Sequence, residues 1–165
     1  MTRPAPDAPG PGQESVWDYP RPPALVAVGA AVRVEFAGRV VAASAHALRV
    51  LETSHPPTVY LPPADVDLAM LAATARTSGC EWKGQAEYLD LAWDGRRSAD
   101  AAWRYPHPTP AFEALAGYVA FYPGRTDGCW IGDARVEAQP GGFYGGWITA
   151  AVAGPFKGEP GSWGW

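Results

Sequence analysis

Apolar and polar residues alternate over several short stretches of the chain, which is the period expected of β-strands with one buried face. The clearest case is a hairpin: residues 32–36 alternate between apolar and charged side chains, Ala37-Gly38 supplies a turn, and residues 39–42 return. Further short strands are predicted at residues 47–51, 59–61, 85–93, 101–105, 118–122 and 129–131. The pattern therefore predicts a mainly β protein.

One stretch has the spacing of a helix instead. Residues 65–77 place apolar side chains on an alanine-rich background, and Asp65 can cap the first turn, so we predict one α-helix over about residues 65–77. Residues 136–165 interleave glycines with aromatic residues, a composition suited to wrapping over an existing core with the rings as anchors. The predicted fold is a single small, mainly β domain of curved antiparallel sheets or a partly open barrel, with that helix and a wrapped Gly/aromatic C-terminal tail.

The length of 165 residues is typical of one domain with a hydrophobic core of its own. Residues 1–13 are rich in proline and small side chains, and they bury too little apolar surface to become ordered, so we predict a disordered leader. The folded β-rich domain is expected to span residues 14–165.

The balance of charges argues against two classes of partner. The formal net charge is -4 and the basic residues form no patch or stripe, unlike the phosphate-binding surface of a nucleic-acid-binding protein. No stretch approaches the roughly 18 apolar residues that span a bilayer, and the leader lacks the apolar core of a signal peptide. We therefore expect a soluble cytoplasmic protein that binds neither nucleic acid nor membrane.

The two cysteines, Cys80 and Cys129, lie far apart in the sequence and form no C-x-x-C pair. We expect free thiols and no structural metal site, because such a site needs further ligands at suitable spacing. The glycine patterns of dinucleotide-binding and phosphate-binding loops are also missing from the sequence. We therefore predict neither a metal nor a cofactor.

Two short polar segments, residues 49–57 and 80–84, stand out in a chain of which only 18% of residues are charged. In the first segment Glu52 and His55 are three residues apart, and a carboxylate beside an imidazole can share proton transfer near neutral pH. The alternative is that Glu52 is only a surface partner of Arg49.

In the second segment Lys83 precedes Gly84, and a glycine lets a ligand approach the backbone closely. A half-buried lysine can anchor an anion or, when its pKa is lowered, act as a nucleophile. The alternative is a salt bridge from Lys83 to Glu81 or Glu87.

These arguments select the candidate site residues. The candidate catalytic residues are Glu52, Lys83 and His55. Four further residues are candidates for ligand binding, because an arginine can hold a carboxylate or phosphate with two hydrogen bonds and an aromatic ring can offer a hydroxyl or a stacking face: Arg49, Tyr60, Trp103 and Tyr122. Packing in the core is the alternative for each aromatic residue.

Seven segments of the chain, in the same order, resemble the family known as domain of unknown function 427. They are Glu14 to Arg21 (ESVWDYPR), Arg49 to His55 (RVLETSH), Tyr60 to Pro62 (YLP), Asp65-Val66, Cys80 to Gly84 (CEWKG), Trp103 to Tyr105 (WRY) and Ala120 to Tyr122 (AFY). The resemblance covers about residues 14–165. It implies a compact fold of curved sheets, found in small bacterial and fungal proteins.

A nucleotidyltransferase-like label is attached to the family, but Asp65-Val66-Asp67 lacks the preceding glycine-serine turn of such enzymes, so the residues do not support that chemistry. The family pattern includes residues that match four candidates, which implies a shared pocket: Glu52, Tyr60, Lys83 and Trp103.

We favour an enzyme that acts on a small molecule in an aromatic-lined pocket, with Glu52 as general acid or base and Lys83 as anchor for an anionic group. His55, Tyr60 and Tyr122 would support them with hydrogen bonds. One alternative is a non-catalytic module that binds a small ligand or a protein partner. Another is that Glu52 and Lys83 form a buried ion pair that only fixes the sheet. The substrate, the type of reaction and the oligomeric state stay open.

Overall fold

The computed structural model describes residues 3–165, in which short strands alternate with turns and 3₁₀-helices. In chain order the strands are β1 (Glu14–Ser15), β2 (Ala24–Ala27), β3 (Val32–Phe36), β4 (Arg39–Ser44), β5 (Leu48–Leu51), β6 (Thr58–Leu61), β7 (Leu71–Cys80), β8 (Gly84–Trp93), β9 (Arg96–Arg104), β10 (Val119–Phe121), β11 (Gly128–Ile131), β12 (Ala134–Arg135), β13 (Glu137–Ala138), β14 (Trp147–Ile148) and β15 (Val152–Ala153). The 3₁₀-helices span Val16–Asp18, Pro63–Asp65, Leu68–Met70, Pro110–Leu115 and Pro123–Arg125. The mainly β class is confirmed.

Two antiparallel sheets form the body of the domain. The larger has seven strands in the order β2-β5-β6-β10-β9-β8-β7, and the smaller has four in the order β12-β11-β3-β4. The main core lies between them, because Val34 and Phe36 of the smaller sheet share one buried cluster with Leu89, Leu91 and Phe121 of the larger. Neither sheet closes on itself.

The opposite face of the larger sheet carries a second buried cluster, which we call the aromatic face. Successive side chains of a strand point to opposite sides of a sheet, so Ala102 faces the main core while Trp103 faces away from it. The same alternation on neighbouring strands brings further rings to this face: Tyr60, Tyr88, Tyr105 and Tyr122. The two-residue period of the sequence thus separates the main core from the aromatic face.

The α-helix predicted over residues 65–77 is wrong. The first part of this stretch forms two 3₁₀ turns, and β7 begins at Leu71 and pairs with β8 as far as Cys80 opposite Gly84, with a register shift between Ala73 and Thr77. Alanine favours a helix only weakly, by a few tenths of a kcal/mol per residue over most residues. Hydrogen bonding to a ten-residue neighbouring strand outweighs that preference, so β7 becomes an edge strand of the larger sheet.

The C-terminal tail packs on the larger sheet. Trp147 of β14 is 1% exposed, and its indole Nε1–H donates to the main-chain oxygen of Phe121 over 3.0 Å. Farther along, β15 pairs in parallel with β1, so the tail also holds the start of the domain. The predicted wrapping of the tail over the core agrees with these contacts.

The predicted disorder of the leader stays a prediction, and Met1 and Thr2 lie outside the described residues. Within residues 3–13, the Asp7 N–H donates to the oxygen of Gly154 over 2.8 Å, and the Gln13 side-chain amide donates to the oxygen of Ala150 over 2.9 Å. Throughout residues 3–165, every helix is too short to cross a bilayer.

Candidate functional site

A cavity of about 310 Å³ lies against the aromatic face of the larger sheet. It is lined by the rings of that face, by Lys83 of the β7–β8 turn, and by Glu52 and His55 of the loop after β5. The C-terminal tail completes the wall with four residues: Phe143, Tyr144, Gly145 and Lys157. Six of the seven predicted site residues therefore lie around one cavity.

The aromatic face is held by hydrogen bonds and edge-to-face packing. The Trp103 Nε1–H donates to the Tyr60 hydroxyl over 3.3 Å, and the two ring planes meet at 87°. Tyr122 lies 4.7 Å from Trp103 between ring centroids and donates its hydroxyl hydrogen to the oxygen of Phe143 over 3.1 Å. Burial raises the pKa of Tyr60 and of Tyr122, so both hydroxyls stay protonated at neutral pH.

Glu52 lies at the edge of the cavity with one oxygen engaged. An Arg21 guanidinium N–H donates to Oε2 over 3.3 Å, and the Nε2 atom of His55 lies 3.6 Å from the same oxygen. Arg21 is itself fixed by a 2.9 Å hydrogen bond to the oxygen of Thr53. Within residues 3–165 the other oxygen, Oε1, accepts no hydrogen bond. The carboxylate is therefore oriented through Oε2 and has Oε1 available.

The hydrogen-bond network around Gln139 fixes the tautomer of His55. The Gln139 Oε1 accepts the Gly146 N–H over 3.0 Å and its Nε2 donates to the oxygen of Lys157 over 2.8 Å, so the orientation of the amide is determined. The same Nε2 lies 3.2 Å from His55 Nδ1, which must accept because an amide nitrogen only donates. His55 consequently carries its proton on Nε2, facing Glu52.

His55 is also uncharged at neutral pH. Burial, and then the positive charges of Lys157, Arg21 and Lys83, lower its pKa from 6.5 to about 3. The neutral imidazole therefore faces Glu52 with its Nε2–H, 3.6 Å from Oε2, and has no second proton to give.

The β7–β8 turn holds Lys83 at the cavity. The Thr109 N–H donates to the oxygen of Lys83 over 3.0 Å, and the Thr109 hydroxyl donates to the oxygen of Trp82, so a neighbouring loop clamps the turn. Gly84 has a φ of +108°, and a Cβ there would lie 3.3 Å from the oxygen of His107. A glycine is thus required where the lysine side chain enters the cavity.

Lys83 has no carboxylate within 4.0 Å among the described residues. Glu87, one of its expected partners, instead pairs with Arg104 at 3.0 Å. The alternative in which Glu52 and Lys83 form a buried ion pair is also wrong, since Glu52 pairs with Arg21. The Nζ of Lys83 lies 5.9 Å from the centroid of the Tyr105 ring.

Arg49 is the one predicted site residue that the structure does not bring to the cavity. It precedes Val50, which lines the cavity, so strand alternation points the arginine to the other side. There its guanidinium makes two 3.0 Å hydrogen bonds to the Glu14 carboxylate. The ion pair raises the pKa of Arg49 and lowers that of Glu14. This arginine therefore ties the larger sheet to β1.

Sequence reasoning missed the contribution of the tail. Lys157 and Tyr144 line the cavity, and Gln139 orients His55 from behind. No periodicity marks these residues, but one signal was available: Lys83 and Lys157 are the only lysines in the chain. Burial and the charge of Arg21 lower the pKa of Lys157, while the charge of Glu52 opposes them.

The donor set suits proton transfer and anion binding rather than metal binding. Across residues 3–165, no three histidine, cysteine or acidic side chains come close enough together to hold a metal ion. Two ammonium groups and a carboxylate with one unengaged oxygen face a volume near the lower limit of small-molecule sites, which span roughly 300–1,000 Å³.

Comparison with known proteins identifies the family. The model of a family described as a domain of unknown function (DUF427) matches residues 24–132, about two thirds of the chain. The match is shorter than the expected 14–165, and it leaves out the tail residues of the cavity wall. No curated protein matches the chain. The matched segment contains both polar segments and all seven strands of the larger sheet, and the chain belongs to the domain of unknown function 427 family.

Proposed function

We propose that this protein is an enzyme that acts on a small molecule carrying an anionic group and a dissociable proton. In this proposal Glu52 exchanges the proton and Lys83 holds the anionic group. The observation that carries the proposal is that Glu52 Oε1 and Lys83 Nζ both lack a hydrogen-bond or ion-pair partner within residues 3–165 and belong to the wall of the same cavity.

The surroundings of Glu52 fit a general base. Arg21 hydrogen-bonds to Oε2, so it compensates the charge of the carboxylate and fixes its orientation, and the neutral His55 Nε2–H lies 3.6 Å from the same oxygen. Oε1 can then accept a proton from a hydroxyl or ammonium group of the ligand. A positioned acid or base of this kind typically contributes about 10²–10⁴-fold to a rate.

The rest of the cavity fits the remainder of such a ligand. The rings of Tyr60, Trp103 and Tyr122 offer flat apolar surface to a planar or aromatic portion. Lys83 supplies a flexible positive charge at the turn, without a competing carboxylate within 4.0 Å among the described residues. A volume of about 310 Å³ favours a ligand of small-metabolite size.

The second candidate function is a module that binds such a ligand without transforming it. The observation that favours it is the neutral state of His55, which removes the imidazole as a second proton carrier beside Glu52. In both functions His55 has a supporting role only, with its Nε2–H 3.6 Å from the Glu52 carboxylate.

Two substitutions separate these functions. A panel of small organic acids and amino acids is screened by thermal shift against the wild-type protein, Glu52→Gln and Lys83→Met, and each hit is incubated with protein and examined by mass spectrometry. We expect Lys83→Met to lose binding, and Glu52→Gln to keep binding but lose turnover.

The matched control is Glu113→Gln, an exposed carboxylate that is not part of the cavity wall. If a ligand binds to Lys83→Met as tightly as to the wild-type protein, the proposed role of Lys83 as the anion-binding residue is overturned. Turnover that survives in Glu52→Gln would overturn the role of Glu52, and binding without turnover in the wild-type protein would establish the second candidate.

A further inference from the structure

The lysines of this chain occur only in the wall of the cavity. Of the 13 basic residues other than histidine only two are lysines, Lys83 and Lys157, and both line the cavity. They are 74 positions apart in the sequence, so no local repeat or duplicated motif accounts for their meeting.

The arginines behave differently. Eight of the eleven form ion pairs with carboxylates. The other three lie over aromatic rings: Arg3, Arg125 and Arg135. Within residues 3–165 the arginine and lysine side chains without a side-chain carboxylate within 4.0 Å are therefore Arg3, Arg125, Arg135 and the two lysines, and of these five only the lysines line the cavity. Each lysine also lies over an aromatic ring, as those three arginines do, so what distinguishes the lysines is their place in the cavity wall.

Lys157 is held in place by its backbone. Its N–H donates to the oxygen of Ser54 over 2.9 Å, and its oxygen accepts from Gln139 Nε2 over 2.8 Å. The next residue, Gly158, has a φ of +121°, and a Cβ there would overlap the carbonyl of Pro140, only 2.8 Å from the carbonyl carbon. Only glycine fits at position 158, so a fixed turn of the tail places Lys157 at the cavity.

The side chain of Lys157 has a polar tip with spare hydrogen-bonding capacity. Its Nζ donates to the main-chain oxygen of Trp165 over 3.3 Å and lies 5.6 Å from the centroid of the Tyr144 ring. An ammonium group has three N–H donors, so two are left for a ligand. Both lysines are close enough to His55 for their charges to lower its pKa.

We propose that Lys157 is a second anion-binding residue of this cavity, and that the ligand presents a carboxylate or phosphate group to Lys83 and Lys157 together. The proposal rests on the proposed function of the cavity. Lysine suits this task because its ammonium group is a compact charge on a flexible stem, so two lysines from separate segments can converge on one oxyanion. Lys157 lies outside the matched segment 24–132, so in this proposal the C-terminal tail contributes to the affinity for the ligand.

The test uses three simple probes of similar shape with the full-length protein. Benzoate and phenyl phosphate carry the two oxyanions, and benzamide is the neutral counterpart. Dissociation constants are measured by calorimetry for the wild-type protein, Lys83→Met, Lys157→Met and the control Arg33→Met, which removes one exposed positive charge from the smaller sheet.

We expect at least one oxyanion to bind more tightly than benzamide, and each lysine substitution to weaken that binding about tenfold or more, as loss of a hydrogen bond to a charged group does. Arg33→Met should change it less than threefold. The oxyanion that binds more tightly identifies the ligand as a carboxylate or a phosphate ester.

These measurements distinguish failure of the second-lysine inference from failure of the proposed function. If Lys157→Met behaves like Arg33→Met while Lys83→Met loses binding, the second-lysine inference is overturned and the proposed function stands. If neither oxyanion binds the wild-type protein more tightly than benzamide, both are overturned.

A second measurement covers the case in which Lys157→Met fails to fold. Reductive ¹³C-methylation keeps the positive charge of lysine, and with two lysines the side-chain NMR spectrum is simple. We expect both lysine signals of the wild-type protein to move on addition of the oxyanion and neither to move with benzamide. Movement of only one lysine signal contradicts the proposal.

Discussion

The burial of a neutral His55 predicts a specific loss of stability in mild acid. The pKa of this imidazole falls from 6.5 to about 3 on folding. Below pH 6.5 the unfolded chain therefore binds a proton that the native protein does not bind, so the free energy of unfolding decreases as the pH falls from about 6.5 toward 3. Above that window the contribution of His55 to stability is fully present.

The size of the effect follows from the difference in proton binding. Each pH unit in this window costs about 1.4 kcal/mol, so at pH 5 the native protein loses about 2 kcal/mol relative to pH 7. This figure holds for any native pKa well below 5, because the native imidazole is then neutral at both pH values. By pH 3 the loss through this one side chain reaches about 4 kcal/mol.

The assay is urea unfolding at pH 7 and at pH 5 for the wild-type protein and for His55→Gln, which cannot titrate. Carboxylates contribute to both profiles, so the quantity of interest is the difference between the two proteins: wild type should lose about 2 kcal/mol more than His55→Gln. His46→Gln, which removes an exposed imidazole, controls for the loss of a histidine as such.

An equal loss in wild type and His55→Gln would refute the reasoning, because it would mean that the native imidazole takes up a proton as readily as the unfolded one. NMR of the ring nitrogens supplies an independent check. Nδ1 should be the unprotonated nitrogen in the wild-type protein, since it accepts from Gln139, and a proton found on Nδ1 would contradict the tautomer assigned here.

Two further predictions concern packing and thiol reactivity. A Cβ at Gly145 would lie only 2.6 Å from Trp103 Cζ3, so Gly145→Ala should cost about 1–3 kcal/mol and lower Tm by about 2–10 °C in a scanning melt. Gly79→Ala, where a Cβ meets nothing within 4 Å, should leave Tm nearly unchanged, and equal melts would contradict the steric argument. Burial raises the pKa of the Cys129 thiol to about 12, so iodoacetamide at pH 8 should alkylate the half-buried Cys80 alone until the protein is denatured. Mass spectrometry of the native reaction checks this, and early double labelling would be the contrary result.

Much of the fold follows from local information in the sequence. The hairpin of β3 and β4 was predictable because alternation and a turn lie within one short stretch. The strand β7 was not, because its alanines satisfy a helical pattern and only pairing with β8, a non-local contact, decides between the two. Helix propensity gives the wrong prediction for β7 because hydrogen bonding to the neighbouring strand β8 stabilises the extended conformation.

The candidate site divides in the same way. Glu52 and His55 share one loop, and Lys83 projects from a turn, so short polar segments were enough to select them. Arg49 was misplaced because the side of the sheet on which it lies depends on strand register, which the sequence does not reveal. Lys157 was missed because the tail acquires its shape from packing on the sheet rather than from any period of its own.

The parallel pairing of β1 with β15 has a consequence for how the molecule folds. It joins Glu14 to Val152 and Ser15 to Ala153, so it requires closure of a loop that includes nearly the whole domain. Hairpins such as β7–β8 and β8–β9 close over a few residues and can form early, whereas contacts of such long range are slow to form. Because the same tail carries Lys157, we expect the proposed anion-binding wall to form late in folding, so that a newly made chain acquires its sheets before its cavity is complete.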